Sequence, residues 1–312
     1  MGSPDGFDSI TVASPDASTK AEFVPDANML CCSLTHNGSE LLHTGGGVRA
    51  YAERGKTMGI PLLHPWANRL AGFRYQAAGQ TVTLRRGDPR IPVDPGGLPI
   101  HGVLPGLLHW QVQSGASAGE LRALLRWEGD ELLEVFPFPH ELHLEVMVGS
   151  GELVLATTLK PTASAQVPVS FGYHPYGTIP GSSRQAWSVE LAAFRRLVLD
   201  ERMIPTSERE PGQRRSFRLG ETSLDDGFDA LTVPAEFSVT ARTGGMAVEF
   251  RSGYHFAQVY APPGQDFICF EPMTAAANAL CSGDGLQLAE PGEEYRAEFA
   301  IRVLADPGAM RG

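Results

Sequence analysis

The sequence has few of the residues that form disulfides or metal sites. Only four of its 312 residues are cysteines, namely Cys31, Cys32, Cys269 and Cys281. Adjacent Cys31 and Cys32 would point to opposite faces of a strand, which makes them poor disulfide partners. No CxxC pair occurs, and the CxH and HxxxH spacings of zinc sites are missing. We therefore expect buried free thiols in a reducing cytosol, and no metal.

Basic residues are also scarce. The chain has 25 Lys and Arg against 36 Asp and Glu, which gives a formal net charge of −11. A negative chain repels nucleic-acid phosphates and anionic lipid, so we expect no nucleic-acid partner and no membrane partner. A small neutral ligand fits this charge better.

Long hydrophobic runs are absent from the sequence. No apolar stretch approaches the roughly 20 residues that span a bilayer. The N-terminal residues 1–20 lack the basic stretch and apolar run of a secretory signal. We expect a cytoplasmic protein.

Helical periodicity is nearly missing, whereas Gly (35) and Pro (24) are frequent and scattered. One predicted hairpin, over residues 237–250, turns at Gly244-Gly245, and another, over residues 142–159, turns at residues 149–151. Many short strands without alternating helices predict an all-β fold, a large antiparallel β-sandwich in one domain over residues 21–306. Residues 1–20 and those after 306 are expected to be flexible tails. Further predicted strands cover 121–127, 187–192, 197–200, 256–261, 267–270 and 295–303.

The segment Met58–Leu108 differs from the predicted strands because it contains seven prolines. Proline cannot donate a ladder hydrogen bond, so this segment is predicted to be mostly ordered loop. Ordered loops on a rigid scaffold are where binding sites are usually built.

A few titratable residues stand out by their local setting. His174 and His101 lie in loops flanked by proline, where a side chain is more often reactive than inside an alternating strand. Glu271 follows four apolar residues and precedes a proline, so it is either used chemically or buried in an ion pair with an arginine. Asp225 and Asp226 precede a glycine, a pattern that by itself indicates a turn.

Together these segments resemble the aldose 1-epimerase (galactose mutarotase) family. The resemblance depends on five blocks in order, covering most of the chain between Gly59 and Thr274. The blocks are GIPLLHPWANRLAGFRY, His101-Gly102 followed by Trp110, PVSFGYHPYG, DDGFDAL, and FAQVYAPPGQDFICFEPMT.

The resemblance implies a supersandwich of antiparallel sheets and an isomerase that interconverts the α and β anomers of a hexose without a cofactor. Opening a sugar hemiacetal requires a base on the anomeric hydroxyl and an acid on the ring oxygen. By resemblance Glu271 is the base and His174 the acid. The implied sugar-binding residues are Asn68, Arg69, His101, Tyr176, Asp225 and Gln258, with Asp225 favoured over Asp226 by its spacing to Phe228, and Trp66 as a further wall.

Some features leave alternatives open. Gly177 stands where the family often has Phe, which we expect to widen the wall of the pocket. Arg85, Arg86 and Arg90 precede His101 and could bind a phosphate, so a hexose-6-phosphate 1-epimerase is an alternative. A non-catalytic carbohydrate-binding or sensor protein and a glycosidase using Glu271 and Asp225 are others. A monomer and a homodimer are equally compatible with the sequence.

Overall fold

The computed structural model describes residues 4–117, 119–192, 195–211 and 215–305. Within these ranges the chain forms mainly strands, with three short α-helices, α1 (Val48–Arg54), α2 (Asp130–Leu133) and α3 (Ala279–Ser282), and four 3-10 helices at Pro4–Gly6, Pro25–Ala27, Pro105–Leu107 and Arg184–Ala186. None of the described helices has the length and apolar character needed to cross a membrane. The strands are β1 (Ile10–Ala13), β2 (Thr19–Val24), β3 (Leu30–His36), β4 (Ser39–Glu40), β5 (Leu62–Leu63), β6 (Arg74–Ala77), β7 (Gln80–Thr83), β8 (Gln111–Ser117), β9 (Glu120–Trp127), β10 (His140–Gly149), β11 (Glu152–Pro161), β12 (Val167–Val169), β13 (Gly172–Tyr173), β14 (Tyr176–Gly177), β15 (Ser188–Leu191), β16 (Arg195–Leu199), β17 (Pro205–Glu210), β18 (Arg215–Arg218), β19 (Leu224–Asp229), β20 (Ala235–Ala241), β21 (Gly244–Ser252), β22 (Phe256–Ala261), β23 (Ile268–Met273), β24 (Gln287–Ala289) and β25 (Tyr295–Leu304).

Two large antiparallel sheets pack face to face. In the described residues, one has nine strands in the order β18-β15-β20-β21-β25-β11-β10-β9-β8. The other has eight, in the order β17-β16-β19-β22-β23-β13-β5, with β14 also paired to β23. Phe237 of β20 meets Phe270 of β23 with ring centroids 5.6 Å apart, and Tyr173 of β13 meets Phe299 of β25 at 5.0 Å. These aromatic contacts fill the space between the sheets, so the predicted β-sandwich is confirmed.

Both predicted hairpins are present, but one turn was placed wrongly. Strands β10 and β11 pair from His140 opposite Pro161 to Gly149 opposite Glu152, as the alternation predicted. Strands β20 and β21 pair up to Ala241 opposite Gly244, so the turn is Arg242-Thr243 and not Gly244-Gly245. Gly244 and Gly245 are instead the first residues of β21. Position 245 requires a glycine because a Cβ there would collide with the backbone of the facing strand β20.

The structure corrects the prediction that residues 1–20 form a flexible tail. Residues 1–3 lie outside the described range, but β1 pairs with β2 from Ile10 opposite Phe23 to Ala13 opposite Lys20. Val12 is fully buried in the main hydrophobic core. The sequence did not predict this strand, because four residues with a single buried side chain show too little alternation. The expected tail after residue 306 also lies outside the described residues.

The described cysteines are free, as predicted. Cys31, Cys32 and Cys269 are buried, and Cys281 is half-buried. Burial raises the pKa of the Cys269 thiol, and the nearby charge of Glu271 adds to the rise. Cys31, Cys32 and Cys269 therefore act as small apolar side chains in the core.

The eight-stranded sheet has an inner and an outer face. Val259 and Phe270 are buried in the core between the two sheets. Because successive side chains of a strand alternate, the neighbouring Gln258 and Glu271 point to the outer face. The proline-rich segment covers this face. It is held there by β5, which pairs with β13, and by backbone hydrogen bonds such as Ala67 N to the Ser170 oxygen at 2.7 Å.

Candidate active site

A cavity of about 290 Å³ lies between the outer face of the eight-stranded sheet and the proline-rich segment. All eight residues predicted to act on a sugar line this one cavity: Asn68, Arg69, His101, His174, Tyr176, Asp225, Gln258 and Glu271. Four residues that the sequence did not indicate complete the lining: Thr57, Pro95, Ile100 and Tyr260. Strands β19, β22 and β23 supply one wall, and loops supply the other.

The wall formed by strands follows from their register. Gln258 in β22 lies opposite Glu271 in β23, and Asp225 in β19 lies opposite Tyr260 in β22. Gln258 Nε2 donates a hydrogen bond of 2.5 Å to Asp225 Oδ1. Gly227 lies opposite Gln258, and a Cβ there would come within 3.2 Å of the Gln258 side-chain oxygen. The absence of a side chain at position 227 therefore leaves room for the Gln258–Asp225 contact.

The two candidate aspartates are separated by the alternation of β19. Asp225 lines the cavity, whereas Asp226 Oδ1 accepts a hydrogen bond of 2.8 Å from Arg196 Nη1 outside it. Burial raises the pKa of Asp225, an effect that the charge of Arg69 and the Gln258 hydrogen bond oppose. The structure thus brings Asp225, and not Asp226, to the cavity.

Glu271 and His174 form a buried pair at the floor of the cavity. Glu271 is 1% exposed and His174 is 5% exposed, and Glu271 Oε1 lies 3.3 Å from His174 Nε2. Burial raises the pKa of Glu271, the charge of Asp225 raises it further, and Arg69 opposes both. Burial also lowers the pKa of His174, with a smaller effect of His101. Each group is therefore driven toward its neutral form, and the pair can hold a single proton between them.

Tyr176 holds the plane of the His174 ring. The two rings are stacked with centroids 4.5 Å apart and planes only 4° apart. The Tyr176 hydroxyl lies 3.4 Å from His174 Nε2. In parallel stacked rings this hydroxyl is out of the imidazole plane, where hydrogen bonds to the ring nitrogen are poorly directed. Its better partner is the Thr57 hydroxyl at 2.6 Å, which ties Tyr176 to the loop after α1.

His101 is presented by a left-handed backbone turn. Its φ is 61°, and its backbone N–H donates to the backbone carbonyl oxygen of Asn68 at 2.9 Å. The next residue, Gly102, has no room for a side chain, because a Cβ there would collide with the His64 carbonyl. Burial lowers the pKa of His101 to about 3, with a contribution from the charge of Arg69. The imidazole is therefore neutral near pH 7, able to donate from one nitrogen and accept at the other. Its ring lies 5.6 Å from that of His174.

Arg69 is held on two sides of its guanidinium group. Nε donates to Asp94 Oδ2 at 2.8 Å, and Nη1 donates to Asn68 Oδ1 at 3.3 Å. Asn68 is itself in a left-handed conformation with φ 56°, and its Oδ1 also accepts from the Arg69 N–H at 2.8 Å. Asparagine tolerates this conformation better than most residues, which explains the residue type beside Arg69.

Of the four lining residues that were missed, Tyr260 had a signal in the sequence. It follows Gln258 by two positions in an alternating strand, and therefore shares its face. Ile100 directly precedes His101 in the predicted loop. Thr57 and Pro95 show no local pattern, because only the packing of the loops against the sheet brings them to the cavity.

Other expectations about the site were wrong. Trp66 is 1% exposed and lies in the core instead of lining the cavity. Gly177 does not widen the wall, because it faces the core, where a Cβ would collide with the sulfur of Met246. The alternative ion pair of Glu271 with an arginine is not what the structure shows, since its ion-pair partner among the described residues is His174.

Among the residues that the structure describes, no cluster of three or more His, Cys, Asp or Glu could hold a metal ion.

Comparison with known proteins gives consistent matches. The family model described as Aldose 1-epimerase matches residues 30–302. A curated relative, the uncharacterized protein YihR of Escherichia coli (strain K12), is 25% identical over 259 residues, covering 78% of this chain and 80% of its own length.

Solved structures show the same fold. The Slr1438 protein from Synechocystis sp. PCC 6803 has 22% sequence identity, covers 98% of each chain and superposes with a TM-score of 0.77. The GalM/aldose epimerase homologue from C. elegans has 16% identity, covers 96% of this chain and 99% of its own, and gives a TM-score of 0.76.

Proposed function

Because this chain belongs to the aldose 1-epimerase family, we propose that it interconverts the α and β anomers of a hexose by general acid–base catalysis. The observation that carries the proposal is the buried contact of 3.3 Å between Glu271 Oε1 and His174 Nε2 inside a polar cavity. The anomeric oxygen and the ring oxygen are bonded to the same carbon. Two proton-transfer groups in contact with each other can therefore each reach one of these oxygens.

The proposed cycle balances its protons without a co-reactant. The Glu271 carboxylate removes the proton of the anomeric hydroxyl while the His174 imidazolium protonates the ring oxygen, and the bond from C1 to the ring oxygen breaks. The open-chain aldehyde rotates about C1–C2. On closure the neutral imidazole takes the proton of the attacking hydroxyl, and the carboxylic acid returns a proton to the carbonyl oxygen. The catalyst ends in its starting state with the other anomer bound.

Burial favours one of the two proton arrangements of the pair. Burial raises the pKa of Glu271 and lowers that of His174. It therefore favours the form with a carboxylic acid at Glu271 and a neutral imidazole at His174, which is the form that exists after ring opening. The positive charge of Arg69 opposes the rise for Glu271 and so helps the carboxylate form. The reaction passes through both arrangements, because the two groups exchange roles between ring opening and ring closure.

The remaining polar side chains suit the hydroxyls of a sugar. Among the described residues, Glu271 Oε2 and His101 Nδ1 are buried without a hydrogen-bond partner. A buried polar atom left unpaired costs about 1–3 kcal/mol, so ligand hydroxyls or water near these groups would relieve that cost. Asp225, Arg69 and Asn68 add acceptors and donors around the same cavity.

A hexose 6-phosphate is a poorer candidate, because the three arginines that could have bound it are engaged elsewhere. Arg90 pairs with Asp88 at 2.6 Å and Glu134 at 2.7 Å, and Arg86 lies over the Phe73 ring at 4.4 Å. Arg85 lies 3.7 Å from Asp88. None of the three lines the cavity.

Polarimetry on freshly dissolved α-D-glucose and α-D-galactose tests the proposal. Glu271→Gln and His174→Asn should each slow anomer exchange about 100-fold or more, because each removes a positioned proton-transfer group. His109→Asn, which changes an exposed histidine outside the cavity, is the matched control and should keep the wild-type rate. A near wild-type rate in either site variant would remove that residue from the mechanism. Sugar binding without any acceleration by the wild-type protein would favour the non-catalytic alternative.

A further inference from the structure

Asp94 belongs to the proline-rich segment and builds a tight turn beside the cavity. Its side-chain Oδ1 accepts from Leu98 N at 2.9 Å, and its backbone N–H donates to the Leu98 oxygen at 2.9 Å. The backbone N–H of Gly97 donates to the Asp94 oxygen at 2.9 Å. The turn carries Pro95 at the cavity wall, and the chain returns to the cavity at Ile100.

The second carboxylate oxygen of Asp94 leaves the turn and binds Arg69, which lines the cavity although Asp94 itself does not. Oδ2 accepts from Arg69 Nε at 2.8 Å, and both side chains are largely buried, with 15% of Arg69 and 8% of Asp94 exposed. Burial alone would raise the pKa of Asp94, but the hydrogen bonds from Leu98 and Arg69 and the charge of Arg69 outweigh it and lower that pKa. The carboxylate therefore remains charged beside Arg69 near pH 7.

Asp94 thus makes two separate contacts with one side chain. One oxygen fixes the turn, and the other fixes the guanidinium group from its Nε edge. Since Nη1 is already turned to Asn68, the nitrogen with most donor capacity left is Nη2. A planar guanidinium held at two points has little freedom to rotate, so the direction of its remaining donors is set.

The charges around the cavity can be counted. Arg69 contributes one positive charge and Asp94 cancels it, while Asp225 adds one negative charge. The Glu271–His174 pair, sharing one proton, adds no net charge in either arrangement. In the described part of the chain, Arg69 is the one arginine in the cavity wall, so a ligand meets a cavity in which that charge is already neutralised and the net charge is negative.

We propose that Asp94 is a specificity-determining residue, which orients Arg69 for a sugar hydroxyl and cancels its charge, so that the site takes uncharged aldoses and rejects sugars bearing a phosphate or carboxylate. The inference rests on the proposed function for its activity readout. Like charges close to each other in a partly buried site are strongly unfavourable, and an anion in this cavity would meet the Asp225 carboxylate in the wall and the Asp94 carboxylate paired with Arg69 behind it. Removing the charge of Asp94 should uncover Arg69 for such a ligand.

Asp94→Asn tests the inference, with Asp88→Asn as the matched control. Asp88 also pairs with an arginine of the same segment, but its partner Arg90 does not line the cavity, whereas Arg69, the partner of Asp94, does. For Asp94→Asn the KM for galactose should rise about tenfold with kcat within about threefold, because a binding contact is loosened. The ratio of kcat/KM for glucose 6-phosphate to that for glucose should rise about tenfold or more, and this rise should shrink at high salt. Asp88→Asn should leave the ratio unchanged.

Calorimetric measurement of galactose and glucose 6-phosphate binding distinguishes a failure of the proposed function from a failure of the proposed role of Asp94. If the wild-type protein binds sugars but does not exchange anomers, the proposed function fails, and the ratio of the two dissociation constants still tests Asp94. An unchanged ratio in a folded Asp94→Asn protein would overturn the role of Asp94 whatever the activity. Should that variant fail to fold, Asp94→Ser keeps a hydroxyl acceptor for Leu98 N and removes the same charge.

Discussion

At the scale of single residues, Tyr176 supports the neighbouring His174 ring. Tyr176 combines a stacked face on His174 with a hydroxyl bonded to Thr57, so one residue joins the catalytic candidate to a distant loop. An electron-rich ring over an imidazole also favours the imidazolium form. Tyr176 therefore supports the proposed acid as well as lining the cavity.

Tyr176 variants can separate the stack from the hydrogen bond. Tyr176→Phe and Thr57→Val both remove the 2.6 Å hydroxyl contact and keep the stacked ring, and Tyr176→Phe also removes the poorly directed 3.4 Å contact with His174, so both should lower kcat by a similar factor, about two- to tenfold. Tyr176→Leu also removes the stack and should lower kcat by a further factor of up to about tenfold. The three rate constants come from polarimetry at saturating sugar. Equal rates in Tyr176→Leu and Tyr176→Phe would mean that the stack contributes nothing to the reaction.

At the scale of elements, the two-residue alternation of β19 decides which aspartate lines the cavity. Asp225 and Asp226 are chemically the same and adjacent, yet one contacts Gln258 in the cavity and the other contacts Arg196. A one-residue change of register would exchange them. The pairing of β19 with β22, which sets Asp225 opposite Tyr260, holds the register in place.

The two aspartates offer a paired test of this arrangement. Asp225→Asn should raise the KM for hexose about tenfold, because the amide replaces a buried charged acceptor with a weaker one. Asp226→Asn changes the same chemistry on the opposite face and should leave KM within about twofold of wild type. Steady-state anomer exchange over a range of sugar concentrations gives both values. A larger effect from Asp226→Asn would contradict the assignment of Asp225 to the sugar.

At the scale of the whole molecule, three buried histidines and the partly buried His101 connect stability to pH. Burial lowers the pKa of His64, His101, His140 and His174, to about 3 for His101 and about 4 for His140. His64 and His140 share a hydrogen bond of 2.9 Å between their Nε2 atoms, and His140 Nδ1 lies 2.6 Å from the Phe138 oxygen. Such a neutral chain needs the Nδ1 proton on His140 and the Nε2 proton on His64.

The free energy of unfolding should therefore fall as pH drops from 7.5 to 5. The unfolded chain binds a proton at each histidine below about pH 6.5, whereas the folded chain does not, so acid favours unfolding. At pH 5, His101 and His140 alone should cost about 2 kcal/mol each, and the raised pKa of Glu271 opposes this with one group. Urea denaturation at the two pH values measures the difference. His140→Gln should give a shallower pH dependence, and a flat wild-type profile would show that these histidines are not buried in solution.

Much of the fold was predictable because strand alternation and turns are local properties. The hairpin β10–β11 and the strands β22 and β25 follow from neighbouring residues alone. The turn of β20–β21 was missed by two positions, because Gly-Gly is also acceptable where a strand passes close to its partner. The strand β1 was missed because four residues carry too little periodicity.

By itself, the order of residues determined the types of chemistry available: an imidazole before a proline, a carboxyl at the end of an apolar run, and an Asn-Arg pair in a proline-rich loop. Only the tertiary structure decided that these groups share one cavity, that Asp94 neutralises Arg69, and that Thr57 supports Tyr176. The reason is physical. Alternation between faces is set by each residue and its neighbours, whereas the distance between two loops depends on how both pack against a sheet that neither of them forms.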